Sequence, residues 1–174
     1  MILTNLTIEF KAMCCEANEV QTSWIPSKGD ICLYEGHRGD ITGLIVNFIP
    51  HHSEDKSKDK ILIYDGSASQ TTKDYIYKNA KELDRLACVW LPSQNQLQQI
   101  FAEDLHSGKI SSRIFITQTI DKIIKTGKSE DHAYFDLAQS WEELWLMMVM
   151  QEKFKRRWDS RKGVWIAYEN IKQI

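Results

Sequence analysis

The sequence has little proline, little glycine and no long apolar run. Three prolines and eight glycines in 174 residues exclude a collagen-like, polyproline or low-complexity chain. The longest unbroken apolar stretch is Leu144 to Met150, about a third of the ~20 residues that a membrane-spanning helix needs. Met1 to Lys11 contains neither a basic n-region nor a continuous apolar h-region, so no signal peptide is expected there. Neither sign of charge dominates: 22 Lys and Arg against 24 Asp and Glu leave a net charge of −2, which excludes a basic tail or an acidic mimic as the main feature. The expectation is a cytoplasmic chain that does not enter a membrane.

Cysteine is also sparse. Of the four, Cys14 and Cys15 are adjacent, Cys32 and Cys88 stand alone, and no C-x-x-C occurs. A disulfide framework shows spaced pairs in a short secreted chain, so free thiols in a reducing compartment are expected. Cys32 and Cys88 lie in apolar, strand-like runs and read as inert core. Cys14 and Cys15 are flanked by Glu16 and Glu19, whose charge raises a thiol pKa. Asn5-Leu6-Thr7 fits a glycosylation sequon, which has no meaning without a secretory route.

What is present is ordinary for a globular α+β domain: 43% apolar and 26% charged residues. A single unit spanning 1–174 is expected, with a β-rich part over 1–90 and a helix-rich part over 91–174. The first part carries 10 basic and 13 acidic residues, the second 12 and 11. Leu3 to Phe10 reads as a first strand. Trp24 to Asp30 reads as a turn into the strand Ile31–Tyr34, and Gly36 to Asp40 as the loop after it. Ile41 to Ile49 alternates, with Leu44, Val46 and Phe48 on one face and Ile45 and Ile49 on the other. Pro50 ends it. Ser53 to Lys60 is wholly polar and reads as a solvated loop without a structural role. Ile61–Tyr64 is the next strand, closed by Asp65-Gly66. These short strands with tight loops predict a small antiparallel sheet or half-barrel.

Tyr75, Ile76, Ala80, Leu83 and Leu86 form a rough helical stripe over 72–86, followed by a short strand over 87–91. Pro92 stops that strand, and Ser93 with Gln96 forms a capping box. Leu97, Ile100, Phe101 and Leu105 make the buried stripe of the helix it opens, with Gly108 past its end. Residues 110–126 are ambiguous: the first half stays open between strand and helix, and the second half reads as helix. Ser140-Trp-Glu-Glu143 is a second capping box, opening a helix to about Lys155. Trp158 to Gly163 then reads as a turn and Val164 to Tyr168 as a final strand folding back over that helix.

No constellation carries an obvious reaction. His37, His51, His52, His106 and His132 have no metal-ligand spacing, although His132 and Asp136 would share a helix face. Gly36, Gly39 and Gly43 match neither G-x-G-x-x-G nor a P-loop and read as a hairpin. G-x-S-x-G and H-E-x-x-H are absent. No catalytic residue, metal or cofactor is therefore assigned. Lys153 to Lys162 gathers six cations with Phe154 and Trp158 around one acid, Asp159. Cations track phosphates and aromatics stack on bases, so Lys155, Arg156, Arg157, Trp158, Arg161 and Lys162 are the candidate binding residues. The competing reading is that these cations complement the negative end of a helix and decorate a turn. Leu144 to Met150 with Trp141 leaves almost no polar helix face; it reads as a helix buried on several sides, or else as a Met/Trp surface for a partner.

Two segments resemble a known group. Trp90-Leu-Pro-Ser-Gln-Asn-Gln-Leu-Gln98 resembles the WLP-[ST]-Q-x-Q-L-Q stretch of small proteins from bacterial phages, prophages and plasmids. Ser140 to Phe154, with Trp158-Asp159 and Gly163-Val-Trp165, resembles their C-terminal S-x-E-x-L-W-L-x-x-V-M-x-E-K-[YF]…WD…WV pattern. The likeness spans roughly 85–105 and 138–166. It implies a mobile-element origin and a role in the bacterial cytoplasm, but no established reaction, so no residue role carries over. The expectation is an accessory protein that binds a host or phage protein stoichiometrically, interference with a host defence system being one such role. The alternatives are a nucleic-acid-binding protein using 153–162, and a small cytoplasmic hydrolase or nucleotide-modifying enzyme.

Overall fold

Phe10, Met13, Cys14 and Ala17 recur at the three-and-four spacing of one helix face, and all four are buried. They belong to helix α1 (Ile8–Glu16) and its C-cap in the computed structural model, which describes residues 6–36, 39–49, 59–64, 80–103, 117, 121 and 134–168. The strand expected up to Phe10 is corrected here from Ile8 onward. Thr7 supplies the reason: its Oγ1 accepts the Phe10 N–H at 2.9 Å and caps the helix, which outweighs the loose alternation before it. Met1 to Asn5 lie outside the described residues. So do 37–38, 50–58, 65–79, most of 104–133 and 169–174, and with them all five histidines, the greater part of the polar loop, the helical stripe over 72–79, Leu105 and Gly108. Of 110–126 only Thr117 and Asp121 are described, both helical.

The fold is α+β, and the chain divides into two compact units, Met1–Leu91 and Pro92–Ile174. In the first unit, α2 (Asn18–Ser23) follows α1 directly. The turn expected over 24–30 is present. Asp30, itself buried, accepts from the Trp24 indole N–H and from the Ser27 N–H, each at 2.9 Å. Gly29 takes φ +98°, a backbone state that L side chains avoid, and its N–H donates to the Ile45 carbonyl at 2.8 Å.

Five strands follow: β1 (Ile31–Gly36), β2 (Gly39–Ile49), β3 (Lys60–Tyr64), β4 (Lys81–Asp84) and β5 (Cys88–Trp90). A 3-10 turn, Arg85–Ala87, joins β4 to β5. The sheet order is β4-β3-β2-β1-β5, with every neighbouring pair antiparallel. Gly36 stands opposite Gly39, so β1 and β2 form a hairpin rather than a phosphate-cradling loop.

Three expectations for this sheet are corrected. First, the ladder between β2 and β3 slips between Ile45 and Asn47. This bulge reverses the alternation, because Ile45 lies opposite Ile63 and Phe48 opposite Ile61. Phe48 therefore shares a face with Ile45, while Ile49 is exposed. Second, Lys81–Asp84 is an edge strand, not helix. Pairing with β3 satisfies its backbone, and Lys60 bridges to Asp84 across the pair. Third, the end of the polar stretch is part of the folded structure. Asp59 is buried and its carbonyl accepts the Arg85 N–H at 3.0 Å, while Lys60 opens β3.

One sheet face carries Cys32, Tyr34, Ile45, Ile61, Ile63, Cys88 and Trp90, all buried. Gly43 lies among them. A Cβ there would overlap the Ile63 Cγ2 and approach the Tyr34 ring to 3.1 Å. Trp24 stacks on Trp90, with ring centroids 5.9 Å apart and planes at 6°. Gln21 fixes the same edge. Its amide donates to the Trp90 carbonyl at 3.0 Å and accepts from the Trp90 N–H at 2.8 Å, and it also donates to the Cys14 carbonyl at 3.1 Å.

In the second unit, α3 (Gln94–Glu103) begins at the expected capping box. Gln96 Oε1 accepts the Ser93 N–H at 2.9 Å, and Ser93 Oγ accepts the Gln96 N–H at 3.4 Å. Leu97, Ile100 and Phe101 are its buried stripe. Helix α4 (Trp141–Phe154) packs against α3, Trp145 meeting Phe101 edge-on at 5.9 Å and 75°. Ser140 Oγ accepts the Glu143 N–H at 3.1 Å as expected, while Glu143 reaches one residue further back, to the Gln139 N–H at 2.6 Å. Every residue from Trp145 to Gln151 is buried, so this stretch is core rather than a docking face. Lys155 ends the helix in the left-handed region at φ +56°. The hairpin β6 (Arg156–Asp159) and β7 (Val164–Ala167) follows, β6 lying against α4.

Candidate functional site

The basic segment enters the structure through the end of α4 and the β6–β7 hairpin. Lys155 is exposed, and its Nζ donates to the Glu152 carbonyl at 2.8 Å. Arg156 is half-buried and reaches the Trp165 carbonyl at 3.5 Å. Arg157 points inward. It is 5% exposed, donates to Gln151 Oε1 at 2.9 Å, and lies between the rings of Tyr134 and Tyr168 at 4.8 and 4.2 Å. A guanidinium held by a hydrogen bond and two aromatic faces has cation–π stabilisation in place of water.

Trp158 is buried as well, directly opposite Trp165 with ring centroids 5.3 Å apart. Its N–H donates to the Tyr134 hydroxyl at 2.8 Å. Burial pushes the Tyr134 phenol well above the usual tyrosine range, with this hydrogen bond opposing the shift. Arg157 and Trp158 are thus occupied inside the unit and offer neither a phosphate contact nor a stacking platform at the surface.

Arg161 and Lys162 are exposed on the hairpin turn. Asp159 organises that turn: its carboxylate accepts the Arg161 N–H at 3.1 Å and the Lys162 N–H at 3.3 Å, and Gly163 closes it at φ +65°. The same carboxylate lies 3.5 Å from the Lys162 ammonium. Lys155 and the turn cations stand at opposite ends of β6, roughly 13 Å apart at ~3.3 Å per residue. The structure therefore does not gather the six candidate residues into one basic patch.

A different surface feature of this unit lies just before α4. Phe135, Asp136, Ala138, Gln139, Ser140, Trp141 and Leu144 line an open hollow of about 350 Å³, of mixed polar and apolar character. Trp141 is 57% exposed at its rim, and the neighbouring Leu137 is 61% exposed. Trp141 and Trp145 lie one turn apart on the same helix face, but Trp141 is the first residue of α4 and stands at the exposed end of that face, while Trp145 is buried. The sequence signalled Trp141 only as part of the Met/Trp run and did not separate it from the buried residues.

In the first unit the structure joins two residues that the sequence kept apart. Cys32 on β1 and Cys88 on β5 share one sheet face at diagonal positions, Cys32 opposite Trp90 and Cys88 opposite Tyr34. Each thiol shifts the pKa of the other, that of Cys32 upward and that of Cys88 downward. No sequence signal could show this, since 55 residues lie between them. Among the described residues, no group of three or more His, Cys, Asp or Glu side chains is placed to hold a metal ion, and no helix is long and apolar enough to cross a membrane. Comparisons with protein-family models, curated proteins and solved structures give no match to this chain.

Proposed function

We propose that the chain is a mobile-element accessory protein of the bacterial cytoplasm that works by stoichiometric binding to a host or phage protein. The observation that carries this reading is the hollow before α4, where Trp141 and Leu137 present large apolar surface to solvent beside a concavity of about 350 Å³. Tryptophan in such a position is the residue type most enriched at the energetic centres of protein interfaces. The partner is a protein surface with a protruding apolar side chain that the hollow can receive. Interference with a defence system fits a stoichiometric inhibitor of this kind.

The test is affinity capture from phage-infected host lysate with wild type, Trp141→Ala and the triple variant Lys155→Glu, Arg161→Glu, Lys162→Glu. A partner retained by wild type and by the triple variant, but lost with Trp141→Ala at an unchanged melting curve, supports the reading. A micromolar, salt-sensitive complex with an oligonucleotide, abolished in the triple variant, would overturn it in favour of nucleic-acid binding.

A further inference from the structure

We propose that Cys32 and Cys88 form a redox pair, in which an oxidant of the hydroperoxide class joins β1 to β5 through a disulfide and a thiol reductant reopens it. The placement is the first ground. Both cysteines lie on one face of adjacent antiparallel strands, as diagonal neighbours. No other pairing among the four cysteines has this geometry: Cys14 is buried on α1, and Cys15 next to it is exposed on a different side.

Position divides the roles. Cys32 is fully buried in a strand flanked on both sides, whereas Cys88 retains 8% exposure on β5, the outermost strand at its end of the sheet. Cys88 also donates to the Asp84 carbonyl at 3.6 Å. Hydrogen bonding from Cys32 lowers the Cys88 thiol, against burial and the Asp84 charge, which both raise it. Cys32 is pushed far up by the same bond, by burial, by the charge on Cys88 and by Asp30. Of the two thiols, Cys88 is therefore the more readily ionised, and it is the one nearer the surface.

The chemistry balances. The Cys88 thiolate attacks a hydroperoxide oxygen; an S–O bond forms as the O–O bond breaks, and the departing oxygen leaves as water or an alcohol. The Cys32 sulfur then attacks Cys88 Sγ. The S–S bond forms as the S–O bond breaks, and the hydroxide released takes the Cys32 proton as water. Two thiols lose two electrons and two protons, and the peroxide is the group reduced. Diagonal cross-strand Cα atoms stand ~7–8 Å apart, beyond the ~4.4–6.8 Å of relaxed disulfides. Because β5 is already paired with β1, closure must slide this three-residue strand along β1 rather than draw it closer.

The experiment treats the full wild-type chain with hydrogen peroxide, alkylates the remaining thiols and maps the peptides by mass. The expected result is a monomer carrying a Cys32–Cys88 peptide that has lost two hydrogens and regains them on dithiothreitol. Cys15→Ser should keep the crosslink and Cys88→Ser abolish it. Because the decisive reading is made on wild type, it does not depend on how the variants fold. The proposal is overturned if peroxide carries Cys88 to the sulfinic acid while Cys32 stays alkylatable, or if it produces only a disulfide between two chains through Cys15.

Discussion

Trp145 and Tyr134 show how much single side chains decide. Trp145 is fully buried against Phe101, yet its indole N–H has no hydrogen-bond partner. Trp145→Ala should cost about 3–5 kcal/mol by cavity formation. Trp145→Phe should cost less than the removed ring area suggests, since it also removes an unsatisfied donor; chemical denaturation of both variants measures the difference. Tyr134 gives a pH dependence. Its folded-state pKa lies above the unfolded value of about 10, so the folded form keeps the proton longer. The stabilisation is complete below pH ~10 and declines as pH rises beyond it, because the unfolded chain then ionises first. Tyr134→Phe should flatten the alkaline fall of the melting temperature, and lower stability at neutral pH by about 1–3 kcal/mol through the orphaned Trp158 N–H.

At the scale of the element, helix ends were more legible than strands. The two capping boxes, at Ser93 and Ser140, were readable because a cap is a local arrangement between residues three apart. The end of α4 follows another rule: Lys155 occupies a left-handed site where glycine is the usual residue. Lys155→Gly should raise stability by up to about 1 kcal/mol, visible as a higher melting temperature, through relief of that backbone state. The strands resisted reading where non-local pairing decided the outcome. The bulge after Ile45 reversed the faces of Phe48 and Ile49, and β4 formed from a charged segment because β3 offered it a ladder. The basic run divides on folding for a similar reason: Arg157 and Trp158 are engaged by Tyr134, Tyr168 and Trp165, partners that composition cannot reveal.

For the whole molecule, α+β architecture and a small antiparallel sheet could be read from patterning, since apolar spacing and turn residues are local signals. The hollow beside Trp141 and the Cys32–Cys88 juxtaposition could not, because both are products of folding. Each compact unit has its own buried centre, around Ile45, Ile63 and Trp90 in one and Trp145 and Leu146 in the other. Hydrogen exchange should register this division. In Trp145→Ala, amides of α3, α4 and the β6–β7 hairpin should lose protection while those of β1 to β3 keep theirs. Equal loss in both units would show that the two centres open together.

Gln21 has a consequence for behaviour at high concentration. Its carboxamide stands where the backbone of a sixth strand would stand, taking up both the N–H and the carbonyl of Trp90. A foreign strand arriving at β5 meets no vacant ladder there, so this margin cannot template cross-β growth without first displacing Gln21. Gln21→Ala should reopen the margin and shorten the lag before thioflavin-positive fibrils form under mild agitation. One glutamine thereby shields this margin of the sheet from edge-to-edge growth.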